Sequence, residues 1–262
     1  MKYPFQPEIL DALPEELSEL FRGLEDALLV DICGRLKAAD GFNEATVQDI
    51  KALRSHGISI EEIKKEINKT TGISEKKLDE LLSDVVKRNQ QYYTDLIDLA
   101  GVTKPDVLVD FTTIDAIKRQ TLNEMRNITR TMAFLLDGGR TVLEPHKAFT
   151  WACDRAMLKV QSGAVSYNQA IEDAVKQLAD SGIRTVDYES GRRDHVDVAV
   201  RMAVMTGVNA LNQKYAEQSM EYLGSDLVEV SAHVGARNID GPNGWEAHSK
   251  WQGKVFRWNK QV

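Results

Sequence analysis

The sequence has little of what marks a secreted, membrane-spanning or metal-organised protein. Its 262 residues include only two cysteines, Cys33 and Cys153, with no Cys/His spacing around either. Neither a disulfide framework nor a metal site is therefore expected, and two buried thiols in a reduced compartment is the reading that follows. Apolar runs extend over only a few residues, as at Ala27-Leu28-Leu29-Val30, so no bilayer span is expected. Met1-Lys2-Tyr3-Pro4 leads into an acidic segment without an apolar h-region, which argues against a secretory signal. Basic charge is not in excess: 33 Lys+Arg stand against 40 Asp+Glu, a net charge of -7, which excludes a generic nucleic-acid binder. His-Glu-x-x-His, paired-cysteine and activated-serine signatures are missing too.

What is present is an ordinary globular composition, 42% hydrophobic, in a chain long enough for one large domain or two modest ones. The charge is uneven. Residues 1–188 hold 24 basic and 31 acidic side chains and so carry the whole net charge, while residues 189–262 hold nine of each. The neutral segment also contains three of the five histidines and three of the four tryptophans. A composition shift of this kind places a boundary between 181 and 191.

The first part reads as a string of helices. Leu17, Phe21, Leu24, Leu28, Ile32 and Leu36 recur at three- and four-residue steps after Pro14, one apolar stripe begun by a first-turn proline. Val47, Ile50 and Leu53 predict a short second helix. Ser59 with Glu62 forms a capping box flanked by Ile58 and Ile63 as a staple, predicting a third helix that ends at Thr71-Gly72. Ser74 then opens a fourth, through Leu78, Leu82 and Val85 to Gly101. A fifth runs from Ile114 through Met125, Ile128, Met132 and Leu135 to Gly138-Gly139. A sixth carries Phe149, Cys153, Met157 and Val160, and the seventh opens on the capping box Ser166/Gln169 and stops at Gly182. The stretch from Arg54 to Arg88 has the outline of a helix-turn-helix, but Ser74-Glu75-Lys76-Lys77 followed by Asp79, Glu80 and Asp84 has mixed charge. Packing or docking suits it better than DNA reading.

The second part is built differently. Thr185-Val186-Asp187-Tyr188 alternates like a strand, and a long helix follows from Arg192 to Leu223 with Val196, Val200, Val204, Val208, Leu211 and Tyr215 as its buried seam. A glycine inside a helix costs about 1 kcal/mol relative to alanine, so Gly207 predicts the close passage of another backbone. Arg193, Asp197 and Arg201 stand four residues apart, the spacing of a surface ion-pair ladder; Arg201 can alternatively hold a phosphate or carboxylate. Leu227–Ser231 and Val255–Trp258 alternate as strands around a Gly/Asn/Pro loop. Such a pair can gather His233, Arg237 and His248 at one end of a small sheet. Two imidazoles and a guanidinium there can do acid/base work on a phosphodiester or cradle an anion; equally, both histidines can bond to backbone in a tight core. The fold class is thus α+β and predominantly α: a helical docking region, 1–183, then a small α+β domain, 184–262.

The block Leu227-Val228-Glu229-Val230-Ser231-Ala232-His233-Val234-Gly235-Ala236-Arg237 with His248-Ser249-Lys250-Trp251-Gln252-Gly253-Lys254-Val255-Phe256 resembles the phage minor capsid protein 2 family, as do Ser190-Gly191-Arg192, Val200-Arg201 and Thr206-Gly207-Val208-Asn209. Leu24–Ile32 and Gly72-Ile73-Ser74-Glu75 extend the resemblance over nearly the whole chain. It implies a structural component of a tailed-bacteriophage virion, made in the bacterial host cytoplasm and seated in several copies inside the head near the portal. Its implied partners are the portal and other capsid proteins, with packaged DNA as a further contact. Its implied roles are head assembly or DNA ejection. Toxin-like C-terminal domains among related head proteins imply an alternative, an ADP-ribosyltransferase or nuclease using His233, Arg237 and His248, with NAD as cofactor only under that reading. The polar set carried over is Arg192, Arg201, His233, Arg237, His248, Gln252 and Lys254, beside Trp251. Two departures favour a structural role over an enzyme: a longer spacer between Arg237 and His248, and an end at Val262 where many relatives continue.

Overall fold

The computed structural model describes residues 3–37, 60–186, 191–230, 238–241 and 246–258. The chain is α+β and predominantly α, as its periodicity predicts. It divides into two compact units, the smaller comprising Met1–Ala12, Leu82–Ile117 and Val208–Val262, the larger Leu13–Leu81 and Lys118–Gly207. Long helices contribute residues to both.

The larger unit contains α2 (Glu15–Lys37), whose predicted stripe from Leu17 to Leu36 is buried at every position. The next described helix, α3, runs unbroken from Ile60 to Leu99, so the expected stop at Gly72 does not exist. Ser74, read as a cap, instead donates its hydroxyl to the Thr71 carbonyl at 2.8 Å, inside the helix. Thr70, Ser74, Leu78 and Leu82 are all buried, four residues apart; two short stripes in register make one long helix, and burial of the shared face outweighs a local stop signal. The short helix expected at Val47–Leu53, and the Ser59 and Ile58 elements of the capping box, lie outside the described residues.

Helix α4 (Phe111–Arg130) gives way to strand β1 (Met132–Leu136). The fifth predicted helix was thus too long: Met132 and Leu135 belong to a strand. A short apolar run has no period of its own to tell strand from helix, and here its backbone is claimed from both sides. β1 pairs antiparallel with β2 (Thr141–Leu143), Phe134 facing Leu143, and with β3 (Ile183–Val186), Phe134 facing Ile183. β4 (Arg193–His195) completes a four-stranded sheet in the order β2-β1-β3-β4. Helices α5 (Pro145–Gln161) and α6 (Tyr167–Ser181) pack on each other, on β1 and on α2. Ser166 caps α6 as predicted, its side chain accepting from the Gln169 amide, although the Gln169 side chain turns to Asp173 rather than back to the cap. Gly182 closes α6 at φ 61°, and a Cβ there would lie 2.8 Å from Glu25 Oε1, so both backbone and space require glycine.

Helix α7 (Val196–Leu223) buries its predicted seam from Val196 to Tyr215 completely. Arg192 and Arg193 precede it, Arg193 lying in β4. The expected ladder does not form along this helix. Arg193 donates to the Gly139 carbonyl at 2.7 Å, Asp197 accepts from Arg22 at 3.0 Å and Arg201 pairs with Glu15 at 3.6 Å. Each charge has a partner on another element, which correct spacing along one helix cannot reveal. Gly207 does mark a close approach, but to a side chain: an added Cβ would overlap Thr121 Oγ1 and sit 2.8 Å from its Cγ2 on α4. Cys153 is buried and Cys33 half-buried, both as free thiols.

In the smaller unit, α1 (Pro7–Ala12), the C-terminal part of α3 and the C-terminal part of α7 surround an aromatic cluster. Tyr93 stacks on Tyr215 at 6.5 Å, while Tyr3, Phe5 and Tyr92 meet edge to face. Burial pushes the Tyr215 phenol up to about 12. Asn89, buried, donates to the Val85 carbonyl and to Asn212 Oδ1 at 2.7 Å, joining α3 to α7. The unit ends in a two-stranded antiparallel ribbon of β5 (Leu227–Glu229) and β6 (Val255–Arg257).

Two predictions follow from the larger unit. Gly207→Ala gains about 1 kcal/mol of helix propensity but incurs about 1–3 kcal/mol of overpacking, so urea unfolding should show net destabilisation, partly rescued by Thr121→Ala. Arg126 grips Glu75 through two bonds of 2.6 and 2.9 Å and holds its carboxyl below the usual range. A depressed carboxyl contributes stability above its unfolded value and loses it as pH falls through the folded one. Glu75→Gln should therefore cost up to about 1 kcal/mol at neutral pH, with the difference from wild type closing below about pH 4.5.

Candidate functional site

The C-terminal block that carries the distinctive residues is positioned by the β5–β6 ribbon. Alternating apolar side chains make these strands: Val228 faces Phe256 in the register, flanked by Leu227 opposite Arg257 and Glu229 opposite Val255. The ladder continues beyond the strands. The Val230 amide donates to the Lys254 carbonyl at 3.0 Å, the Gly253 amide to the Val230 carbonyl at 2.8 Å, and the Trp258 amide to the Asp226 carbonyl at 2.6 Å. Trp251 packs on Phe256 with ring centroids 5.4 Å apart.

Between the strands, Asp240 ties down a short 3-10 turn, His248–Lys250. One carboxylate oxygen accepts from the Ala247 amide at 2.7 Å and the other from Lys250 Nζ at 2.8 Å. The same carboxylate raises the Lys250 ammonium above its ordinary value. Ala247 is buried beneath the turn, while His248 and Lys250 face outward.

The residues singled out in the sequence fall into three groups. His248, Trp251, Gln252 and Lys254 all lie in the ribbon's turn; Gln252 is half-buried and the others are exposed. Arg192 and Arg201 belong to the larger unit. Arg192 Nε lies 2.5 Å from Asp194 and its Nη2 donates to the Met202 sulfur, while Arg201 faces Glu15. His233 and Arg237 lie outside the described residues, and with them the expected convergence on His248. Efficient acid/base chemistry needs an imidazole oriented by a second group; His248 has no side-chain hydrogen bond or ion pair among the described residues. The described part of the block exposes Trp251, Val255 and Trp258 beside Lys250, Lys254 and Arg257. Tryptophan and arginine are the anchors that protein interfaces favour.

Sequence reasoning missed a second feature, an open cleft of about 500 Å³ in the larger unit. Arg22, Glu25, Asp26 and Leu29 line one wall from α2, and Asp180, Gly182, His195 and Asp197 line the other. Glu25 accepts the Ile183 amide at 2.7 Å and Arg22 holds Asp197, so the charged groups that line it also fasten α2 to β3 and to the start of α7. The signal was the recurrence of 22, 25, 26 and 29 on one helical face; the opposite wall has no sequence proximity to it. Among the described residues no group of His, Cys, Asp and Glu could hold a metal ion, and no helix is long and apolar enough to cross a membrane.

A family model described as phage minor capsid protein 2 matches residues 5–261. No curated protein and no solved structure matches the chain.

Asp240→Ala removes both acceptors of the turn. Hydrogen exchange should show the Ala247 amide losing protection corresponding to about 1 kcal/mol. Lys250→Ala, which removes only a solvent-exposed ion pair, should leave that protection close to wild type.

Proposed function

The chain belongs to the phage minor capsid protein 2 family, and from that premise we propose that it is a non-enzymatic minor head protein, seated in several copies inside the head near the portal, where it serves head assembly or DNA ejection. As a member of a capsid family it is a virion component that associates with other capsid proteins. The observation that carries the reading is the extent of the family match, residues 5–261, which takes in both units and the C-terminal ribbon alike. The proposed division of labour assigns docking and assembly to the helical residues 1–183 and a partner-facing surface to 184–262.

Charge supports contact with protein rather than with packaged DNA. The net charge of -7 resides in residues 1–188, and acidic surface is repelled by phosphate at close range. The neutral C-terminal part displays Trp251 and Trp258, suited to a protein neighbour.

Mass spectrometry of purified virions should find the protein in several copies per particle, and a side-chain-resolution virion map should place it in the head beside the portal vertex. Its absence from mature particles would overturn the reading as a virion component and leave an assembly-stage role. In the same virions, His233→Ala with His248→Ala should leave infectivity within about twofold of wild type, since a structural role does not spend an imidazole on proton transfer. A loss of about a hundredfold or more, the scale of a missing general acid or base, would favour the enzyme reading instead.

A further inference from the structure

Large apolar side chains are unevenly exposed. Of the sixteen such side chains among the described residues, eleven lie in the smaller unit. Six of these follow one another along the loop and helix ends of that unit: Leu99, Val102, Val107, Phe111, Tyr222 and Leu227. Leu99, the last residue of α3, and Phe111, the first of α4, are each 71% exposed; it is the grouping of such side chains, not any one alone, that is informative.

Hydrogen bonds hold this band in place. The chain leaves α3 through a turn in which the Val102 amide donates to the Ile97 carbonyl at 3.2 Å. It then folds back along α3, where Gln90 donates to the Asp106 carbonyl and accepts from the Leu108 amide, both at 3.1 Å. Leu108 and Val109 plug inward, which leaves Val107 and Phe111 outward. Asp110 starts α4 by accepting the Thr113 amide at 2.9 Å. From α7, the Tyr222 hydroxyl donates to the Thr103 carbonyl at 2.9 Å, bringing the end of that helix to the same loop; Leu227 follows Tyr222 by five residues, at the start of β5. The exposed residues thus stand on a fastened scaffold, which lowers the entropy lost when a partner binds.

The charges beside the band are mostly of one sign. Asp98, Asp106, Asp110, Glu221 and Asp226 are exposed there, against Lys104 and Arg257, and Arg257 already pairs with Asp226. This combination selects the occupant. Nucleic acid and anionic lipid are repelled by the carboxylates. A second copy of the chain, meeting through the same patch, would set acidic rim against acidic rim. A different protein with apolar side chains ringed by lysine and arginine satisfies both features.

We propose that the band from Leu99 to Phe111, with Tyr222 and Leu227, is the docking face through which the protein binds another head protein presenting an apolar, basic-rimmed surface. The proposal rests on the reading of the chain as a virion component and names the face by which it is held there. Acidic rims on this side and basic rims on the other also steer encounter, so association should weaken as salt rises.

The test uses the full-length protein in infected cells. The double variant Leu99→Asp with Phe111→Asp should keep the circular dichroism and unfolding midpoint of wild type, because both side chains are already in water. Its content in purified virions should fall at least about tenfold, the effect of removing two interface anchors. Val30→Asp, at the most exposed large apolar side chain among the described residues of the larger unit, should be incorporated as wild type. A photo-crosslinking amino acid at position 111 should join the chain to one other phage head protein, at a peptide rich in Lys or Arg and apolar residues. Normal incorporation of the folded double variant overturns the proposal, as do crosslinks only to a second copy or to nucleic acid. If wild type itself is missing from virions, the virion reading fails. The crosslink then decides the docking face alone: a basic, apolar peptide of another head protein upholds it, and no crosslink overturns it.

Discussion

The larger unit depends on a five-residue apolar strand. Met132 to Leu136 is buried at all but one position and has a strand on either side. Because its backbone must be satisfied where water cannot reach, the chain is forced to return to it twice, as β2 directly and as β3 after two helices. Those helices, α5 and α6, are amphipathic and cover the strand that made their return necessary. Even the position where the ladder is incomplete is served from a helix end: the Leu135 amide donates to the Ser181 hydroxyl at 2.8 Å. The neighbouring Ile183 amide is taken by Glu25 of α2. A polar residue of a surface helix is thereby recruited to finish a sheet, and α2 is fixed in place.

The smaller unit works on a different principle. Among its described residues there is no inner strand, and its core is made of helix ends and aromatic rings around Tyr93 and Tyr215. Its ribbon is two strands wide, a size that is marginal in water without further packing, and here it is reinforced by hydrogen bonds past the strand ends and by the Asp240 clasp. Both strands show their outer positions to solvent. Economy of internal burial and richness of exposed apolar surface go together here, and a virion component that associates with other capsid proteins can use that combination, because large exposed apolar patches mark interaction sites.

That association clarifies the relation between family and mechanism. A structural virion component needs no arranged nucleophile or oriented base, only shape, anchors and compatible charge. Arg22, Arg192 and Arg201 each face a carboxylate, and the described part of the ribbon exposes tryptophan, lysine and arginine.

Much was legible in the residues themselves. The stripes of α2 and α7, the Ser166 cap, the glycine end at Gly182, the paired strands of the ribbon and the predominantly helical class all follow from local periodicity and chain stereochemistry, which act over three or four residues. The composition shift likewise pointed to the segment with the distinctive block. The pairing of Arg201 with Glu15 and the cleft lined by α2 were not legible, because each joins residues remote in sequence; the Asp240 clasp spans only seven to ten residues, but inside a loop without periodicity to reveal it. The same reason explains the misread elements. Gly72 and Ser74 carry a valid stop-and-start signal, but a buried face shared by both halves keeps α3 continuous. Met132 to Leu136 fits a helical count until strands on both sides claim its amides. Local sequence determined which conformations each segment can adopt; only tertiary packing, by burying one face or pairing one backbone, decided which of them was kept.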